Sequence, residues 1–189
     1  MNTNSLEPPL NDEIVQNIKC GDWPTVLDRL QYCVENGLLL HGSSLSSIDV
    51  LRGKGKRPVC ATNIPTMAIL YAIMPDDHLL PISERELVVA SRRKIVVEEN
   101  PFSLLEVWEI KAPDGFAKKL GNGSVYVVES GPFRQGKDKS EYVTFEPVRP
   151  IARIDMEPDD LPCQVERLPK LVSDHMRAEI LRKKDTMPW

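Results

Sequence analysis

A histidine and a glycine stand where a short buried strand is expected to end, at His41 and Gly42. The apolar run from Leu38 to Leu40 precedes them, so an imidazole lies beside backbone that no side chain covers. This combination suits the binding of a polar ligand, because an imidazole and main-chain groups both make hydrogen bonds. A histidine at a strand end can also serve a purely structural hydrogen bond, and the motif alone leaves both interpretations open.

A basic loop follows, from Arg52 to Arg57, and reads Arg-Gly-Lys-Gly-Lys-Arg. Two glycines among four cations leave little to pack, so the segment is predicted to be a flexible surface loop. Because the loop lies between two motif-like segments, Arg52 and Arg57 are candidates for contact with a phosphate-bearing ligand. The alternative is a loop that is only solvated.

The cysteines and histidines show no spacing that is typical of a metal site or a disulfide framework. They are Cys20, Cys33, Cys60, Cys163, His41, His78 and His175. We therefore predict no structural metal, and reduced cysteines that are mostly buried. Cys60 in particular is expected to be a small buried hydrophobe, because no neighbouring base in the sequence would make it a nucleophile.

The composition indicates one soluble globular domain. The chain has 189 residues, 41% of them hydrophobic, and a formal net charge of -4, which favours neither a nucleic acid nor a membrane as partner. Residues 1–10 are predicted to be a flexible lead-in and residues 11–189 a single domain. No apolar run could span a bilayer and no secretory signal is present, so we predict a cytoplasmic protein without membrane contact.

Helices are predicted where apolar residues recur at three- and four-residue steps. The first begins at the cap Asn11 and ends at Gly21, and the second begins at Asp22 and Pro24 and ends at Gly37. Further helices are predicted for the segments Ser44 to Leu51, Pro65 to Ile73 and Leu171 to Lys184.

Strands are predicted for short apolar runs, one of which alternates clearly, from Ser124 to Glu129. The other predicted strands are Leu38 to Leu40, Pro58 to Thr62, Leu87 to Ala90 paired with Lys94 to Glu98, Glu141 to Val148, and Ile151 to Met156. Leu104 to Ile110 could be strand or helix, and Ser130 to Ser140 is predicted to be a loop. This order indicates an α+β fold built on antiparallel sheets.

Three segments, taken in order, resemble the ADP-ribosyltransferase superfamily, most closely the branch typified by poly-ADP-ribose polymerases. His41, Gly42 and Ser43 are similar to a strand that ends in His-Gly-Ser or His-Gly-Thr in that branch. The run Val-Cys-Ala-Thr, which leads into an Ala- and Tyr-containing helix, is similar to a strand that reads roughly Tyr-Phe-Ala. Glu141, in Glu-Tyr-Val-Thr-Phe, stands where the family has a catalytic glutamate. The resemblance spans residues 38–156.

The resemblance implies a fold of split antiparallel β-sheets with N-terminal helices and a C-terminal helix. It also implies NAD as co-substrate. His41 would hydrogen-bond the ribose of NAD, Gly42 would hold the nicotinamide amide through its backbone, and Ser43 would frame the pocket. Glu141 would be catalytic, because a fixed carboxylate stabilises the positive charge that develops on the sugar as the nicotinamide bond breaks.

The second motif departs from the family pattern, because Val59 stands where the resemblance asks for a stacking tyrosine. Tyr71, in the following helix, could supply that stack, although a core position is the expectation for it. Lys139 and Ser140 precede Glu141, without the Glu-x-Glu or Gln-x-Glu of arginine-modifying relatives. The macromolecular acceptor, protein or nucleic acid, is therefore left open.

The resemblance favours a mono-ADP-ribosyltransferase-like enzyme. The loop before Glu141 would meet the acceptor through Arg134, Lys137 and Lys139. The alternative is a non-catalytic module on the same fold that binds NAD, an ADP-ribose-like group or only a protein partner. Transfer of a 2′-phosphate from RNA to NAD would require more arginines than Arg52 and Arg57. A toxin, a phage protein and a housekeeping modifier all remain compatible with these residues.

Overall fold

The computed structural model describes residues 12–53, 55–75, 89–97, 100–112, 114–136, 139–163 and 165–167. Within these ranges the chain is an α+β protein with three α-helices, a six-stranded sheet and a three-stranded sheet. The helices are α1 (Asp12–Cys20), α2 (Val26–Glu35) and α3 (Pro65–Ile73). The strands are β1 (Leu38–Ser43), β2 (Val59–Thr62), β3 (Val89–Val97), β4 (Asn100–Ala112), β5 (Gly123–Glu129), β6 (Arg134–Gln135), β7 (Glu141–Thr144), β8 (Ala152–Met156) and β9 (Val165–Arg167).

The six-stranded sheet has the order β6-β7-β2-β1-β5-β8, and all of its neighbouring strands are antiparallel. The predicted α+β class is thereby confirmed. β1 pairs with β5 along its whole length, from Leu38 opposite Glu129 to Ser43 opposite Ser124. This central pair carries the His41-Gly42 segment, so the position of that segment is set by the most continuous ladder in the sheet.

The two faces of β5 belong to two hydrophobic clusters, as the predicted alternation requires. Val125 and Val127 pack with residues of all three helices, among them Ile18, Leu30 and Ile69. On the other face, the buried side chains of Tyr126 and Val128 pack with apolar residues of β1, β2 and three loops, among them Leu39, Leu51, Phe133 and Val148. The helices therefore cover one face of the sheet, and loops cover the other.

Helix α3 lies directly on the sheet because two glycines remove the side chains in its way. A Cβ atom on Gly42 would overlap with the Ala68 carbonyl oxygen and lie 2.7 Å from the Ala72 nitrogen. A Cβ atom on Gly123 would overlap with the Ala72 carbonyl oxygen and lie 2.8 Å from the Ser43 oxygen. Real Cβ atoms do not approach backbone so closely, so both positions require glycine for this packing.

The three-stranded sheet contains β3, β4 and β9. The predicted pairing of Leu87 to Ala90 with Lys94 to Glu98 is wrong. The apolar runs before and after Ser91, Arg92 and Arg93 do not form a hairpin in the described part, because they belong to the single strand β3. Those three residues include no glycine, asparagine or aspartate, which two-residue hairpin turns favour. β3 instead pairs with β4, which shows that Leu104 to Ile110 is strand, and β9 joins β4 in parallel.

The segment from Ser44 to Leu51 is not helical, contrary to the prediction. Its backbone groups are bound by a residue from far along the chain, because the Tyr126 hydroxyl donates to the Leu45 carbonyl at 2.7 Å and accepts from the Ile48 amide at 3.1 Å. At its end, Leu51 pairs with Val148 as an isolated bridge. This tertiary anchoring replaces the hydrogen bonds that a helix would have formed within the segment.

Removal of the Tyr126 hydroxyl tests this anchoring. Tyr126→Phe is expected to lower the free energy of unfolding by about 1–2 kcal/mol, because it leaves the two loop groups without their partner. Urea denaturation measures the loss, and faster hydrogen exchange at the Ile48 amide should accompany it. Tyr32→Phe is the control, since the Tyr32 hydroxyl bonds to no described residue. Equal effects of the two changes would contradict the anchoring.

Several helices and strands begin or end at other residues than predicted. Helix α2 begins at Val26, because Thr25 is its N-cap and accepts a hydrogen bond from the Asp28 amide. The predicted strand from Glu141 to Val148 ends at Thr144, and the predicted loop from Ser130 to Ser140 contains the short strand β6. The predicted helix from Leu171 to Lys184 and the lead-in 1–10 lie outside the described residues.

The described helices are too short to cross a lipid bilayer.

Candidate functional site

A cavity of about 490 Å³ opens where β1, β2, β7 and α3 meet. Predicted site residues from three separate segments line it together: His41 and Gly42 from β1, Tyr71 from α3 and Glu141 from β7. The remaining lining residues are Leu40, Cys60, Ala61, Thr62, Met67 and Ser140. His41 and Glu141 are far apart in the sequence, and the antiparallel sheet brings them to one place.

The cavity exists because β1 and β2 pair only briefly. Their ladder consists of the single pair Leu40 and Thr62, after which the strands form no further pair. The His41 imidazole links them beyond that point, since its Nδ1 lies 2.6 Å from the Cys60 carbonyl oxygen. A side chain thus takes the place of a ladder hydrogen bond and leaves room between the strands for another molecule.

The hydrogen bond to Cys60 determines which nitrogen of His41 carries the proton. A carbonyl oxygen only accepts, so Nδ1 must donate and the neutral ring keeps Nε2 as an acceptor. Burial lowers the pKa of His41 below its ordinary value of 6.5, and the bond to the Cys60 carbonyl opposes that shift. A neutral ring of this tautomer can accept a hydrogen bond from a hydroxyl group of a ligand.

The lowered pKa of His41 predicts how stability depends on pH. Because the unfolded chain binds the proton more readily than the folded chain, this group destabilises the fold as pH falls below 6.5 and through the folded-state pKa. Wild-type protein should therefore lose stability more steeply between about pH 7 and pH 5 than His41→Gln, which has no titrating ring. Urea denaturation across this range measures both slopes, and parallel slopes would contradict the burial of the neutral ring.

Glu141 opens β7 opposite Thr62 of β2, and its backbone is bonded to the preceding loop. The Gly136 amide donates to the Glu141 carbonyl oxygen at 2.7 Å. The position that a Cβ atom on Gly136 would take is 2.7 Å from the Glu141 Oε2, so the carboxylate lies beside this glycine. Partial desolvation raises the pKa of the Cys60 thiol, and the Glu141 carboxylate adds to this shift. Cys60 is therefore held in its thiol form beside an acidic group.

Tyr71 is not a core residue, contrary to expectation, because 53% of its surface is exposed and it lines the cavity. Met67, which lies one helical turn earlier in α3, lines the cavity as well. Val59 is buried in the cluster with Tyr126 and does not line the cavity. α3, and not β2, therefore supplies the aromatic ring of this site.

Cys60 also departs from expectation, because it is exposed and lines the cavity. The expectation of mostly buried cysteines holds for Cys33 alone among the four, with Cys20 exposed and Cys163 half-buried. The alternation of β2 explains the position of Cys60, since Val59 and Ala61 point into the second cluster and Cys60 points the other way.

Three predicted site residues do not line the cavity in the described part of the chain. Ser43 continues β1 beyond Gly42, and its hydroxyl oxygen accepts a hydrogen bond from the Leu45 amide at 3.2 Å. Arg52 and Arg57 are exposed in their loop. The structure thus brings together His41, Gly42, Tyr71 and Glu141 and leaves the basic loop apart.

Sequence reasoning missed Met67, Thr62 and Ser140 as lining residues. A signal existed for Met67, because residues four apart on a helix share a face and Met67 lies four positions before Tyr71. Thr62 and Ser140 carry no such signal, since only the pairing of β2 with β7 places them at the cavity.

No protein-family model, curated protein or solved structure matches this chain. The function is therefore argued from the cavity and its chemistry.

Proposed function

We propose that the protein is an ADP-ribosyltransferase-like enzyme that transfers ADP-ribose from NAD to a macromolecular acceptor and releases nicotinamide. The observation that carries the proposal is the meeting of His41, Gly42, Tyr71 and Glu141 in one cavity. The resemblance assigns His41 and Gly42 to NAD and Glu141 to catalysis, and Tyr71 is the alternative source of the stacking ring, whereas Ser43 does not line the cavity. The four residues come from three elements that only the fold joins. A chance resemblance in separate motifs would not require them to share a cavity.

The four predicted residues that line the cavity each have a group suited to one part of the reaction. The His41 imidazole, oriented by the Cys60 carbonyl, offers Nε2 to a ribose hydroxyl. The backbone of Gly42 lines the cavity and suits the carboxamide of nicotinamide, and the exposed ring of Tyr71 suits stacking on its pyridinium. Tyr71 comes from α3, so this helix would supply the aromatic ring that β2 lacks at Val59.

The Glu141 carboxylate supplies the catalytic step. As the bond between nicotinamide and ribose breaks, nicotinamide leaves with the bonding electrons and positive charge develops on the sugar. The Glu141 carboxylate, beside Gly136 and on the cavity lining, would stabilise that charge. The nucleophile of the acceptor then forms its bond to the same carbon, and its proton passes to the carboxylate or to water.

Incubation of the purified protein with labelled NAD and a whole-cell lysate tests the proposal. Label is expected in protein or in nucleic acid, together with free nicotinamide, and both should disappear with His41→Ala. Calorimetry with NAD should show the same loss of binding in that variant. Absence of label and of binding heat at millimolar NAD would refute both the enzymatic function and NAD recognition.

The burial of Val59 favours one second candidate, a non-catalytic module that binds NAD or an ADP-ribose-like group. With no aromatic from β2, the cavity has one stacking face, which suits binding more than strained alignment for bond cleavage. Binding heat with NAD but no release of nicotinamide, in the presence of lysate, would select this module over the enzyme.

A further inference from the structure

A second concave surface lies away from the cavity, between α1, α2, the 44–51 segment and the start of β8. It has a volume of about 890 Å³ and is lined by four cations, Lys19, Arg29, Arg149 and Arg153, which we name the basic cleft. Among its described lining residues, Asp49 is the single acidic residue. Because Arg153 also pairs with Asp155, four positive charges face two carboxylates, which leaves an excess of two in a protein whose formal net charge is -4. Such a local reversal of sign is a candidate anion site.

Two of the cations are held in place by backbone groups. Arg29 donates from Nε to the Ile18 carbonyl at 2.7 Å and from Nη2 to the Lys19 carbonyl at 3.5 Å, at the end of α1. Arg153 donates to the Ser46 carbonyl and forms an ion pair with Asp155 at 3.1 Å. A guanidinium has five N–H donors, so both side chains keep donors while their orientation is already restricted. Less entropy is then lost when an anion binds.

The other two cations, Lys19 and Arg149, are exposed and form no ion pair with a described residue. They lie on α1 and directly before β8, so their charges approach the cleft from two elements. The cleft is completed by an apolar part formed by Ile48, Val50, Pro150 and Ile151. A ligand that carries several negative charges on a compact body with some apolar surface fits this combination.

We propose that the basic cleft binds the phosphate groups of a second ligand, independent of the cavity. Guanidinium forks match phosphate oxygens in a bidentate manner, and an excess of two charges suits an oligophosphate more than a single carboxylate. The phosphates could belong to a free nucleotide or to a nucleic-acid strand, which share this chemistry. Among the described residues the two sites have no lining residue in common, so the second ligand does not depend on the proposed function.

Tyr126 connects the two sites. Its side chain lines the basic cleft, and its ring centroid lies 6.4 Å from that of His41, which lines the cavity. The Tyr126 hydroxyl also bonds to the Leu45 and Ile48 backbone. A ligand bound to the 44–51 segment would therefore be separated from the cavity by one packed residue. The test must therefore separate binding at the cleft from binding at the cavity.

Calorimetry with inorganic tripolyphosphate, at low salt, tests the basic cleft in the intact chain. The double variant Lys19→Glu/Arg149→Glu should weaken binding by about tenfold or more, because it removes two charge-assisted contacts. Lys56→Glu/Lys118→Glu is the matched control, since both lysines are exposed outside the cleft and the net charge changes equally. The control should change affinity by less than about twofold, as expected for distant screened charges.

A single-stranded RNA oligonucleotide, followed by fluorescence anisotropy, distinguishes the two sources of phosphate. If a strand is the ligand, the slope of log affinity against log salt should become shallower by about 1.4 in the double variant, 0.7 for each lost cation. If a free nucleotide is the ligand, tripolyphosphate should bind while the oligonucleotide does not compete with it.

His41→Ala should leave tripolyphosphate binding unchanged, because His41 is not a lining residue of the cleft. Three results would overturn the proposal: neither probe binds at millimolar concentration, the matched control weakens binding as much as the cleft variant, or His41→Ala removes tripolyphosphate binding. Loss of NAD binding in the cleft variant would also overturn it, since the cleft would then belong to the NAD site.

Discussion

Glu141→Gln is expected to lower the proposed turnover of NAD by about 100-fold or more while the fold and the affinity for NAD are retained. Glutamine keeps the shape of the side chain against Gly136 but removes the negative charge that faces the cavity. The interaction lost is one made mainly when positive charge has developed on the sugar, so the effect should fall on the rate and not on binding. Release of nicotinamide under saturating NAD measures it.

Glu146→Gln is the matched control for this change. Glu146 lies two residues beyond the end of β7, is exposed and does not line the cavity. The same chemical substitution there should leave turnover within about twofold, because exposed charges away from the site contribute little. Full turnover in Glu141→Gln would exclude Glu141 as the catalytic group, whereas a loss of NAD affinity without a change in rate would assign it to binding alone.

Gly123→Ala is expected to destabilise the fold by about 3 kcal/mol or more, at the upper end of overpacking effects. The added methyl group would overlap with the Ala72 carbonyl oxygen of α3 and lie 2.8 Å from the Ser43 oxygen of β1. Backbone atoms on two different elements would have to move. Such a movement costs more free energy than the rotation of a flexible side chain. The midpoint of urea denaturation should fall accordingly.

Gly121→Ala provides the comparison, because a Cβ atom there meets nothing within 4 Å and its backbone is not in the left-handed region. We expect a change within about 0.5 kcal/mol for it, as for other surface substitutions. Similar stability of the two variants would show that α3 does not rest on the sheet backbone. In that case the placement of Tyr71 beside His41 would also need revision, since α3 carries Tyr71.

The packing of α3 links the stability of the fold to the shape of the cavity. Gly42 and Gly123 allow the helix to approach β1 and β5 closely, and this approach puts Met67 and Tyr71 at the cavity. The packing of α3 is therefore the structural reason for glycine at position 42, and the same residue also lines the cavity. A substitution at Gly42 would change both stability and ligand binding, which is why Gly123 is the cleaner test.

Local patterns in the sequence determined the elements with the strongest signals. Helix α3 has the predicted limits, because Pro65 suits a first helical turn. Strand β5 was predicted because its apolar residues form a short run, and successive side chains of a strand point to opposite faces of the sheet. The His41-Gly42 segment and Glu141 were candidates from residue type and order alone.

Only the tertiary structure decided where these elements meet. The 44–51 segment is not a helix because Tyr126, from a distant strand, binds its backbone. Tyr71 is exposed because α3 turns its other residues to the sheet, and Cys60 lines the cavity because β2 pairs with β1 at one residue only. The basic cleft likewise joins cations from α1, α2 and the beginning of β8. Periodicity and propensity act over a few residues, whereas strand pairing and the gaps it leaves depend on contacts between residues far apart in the chain.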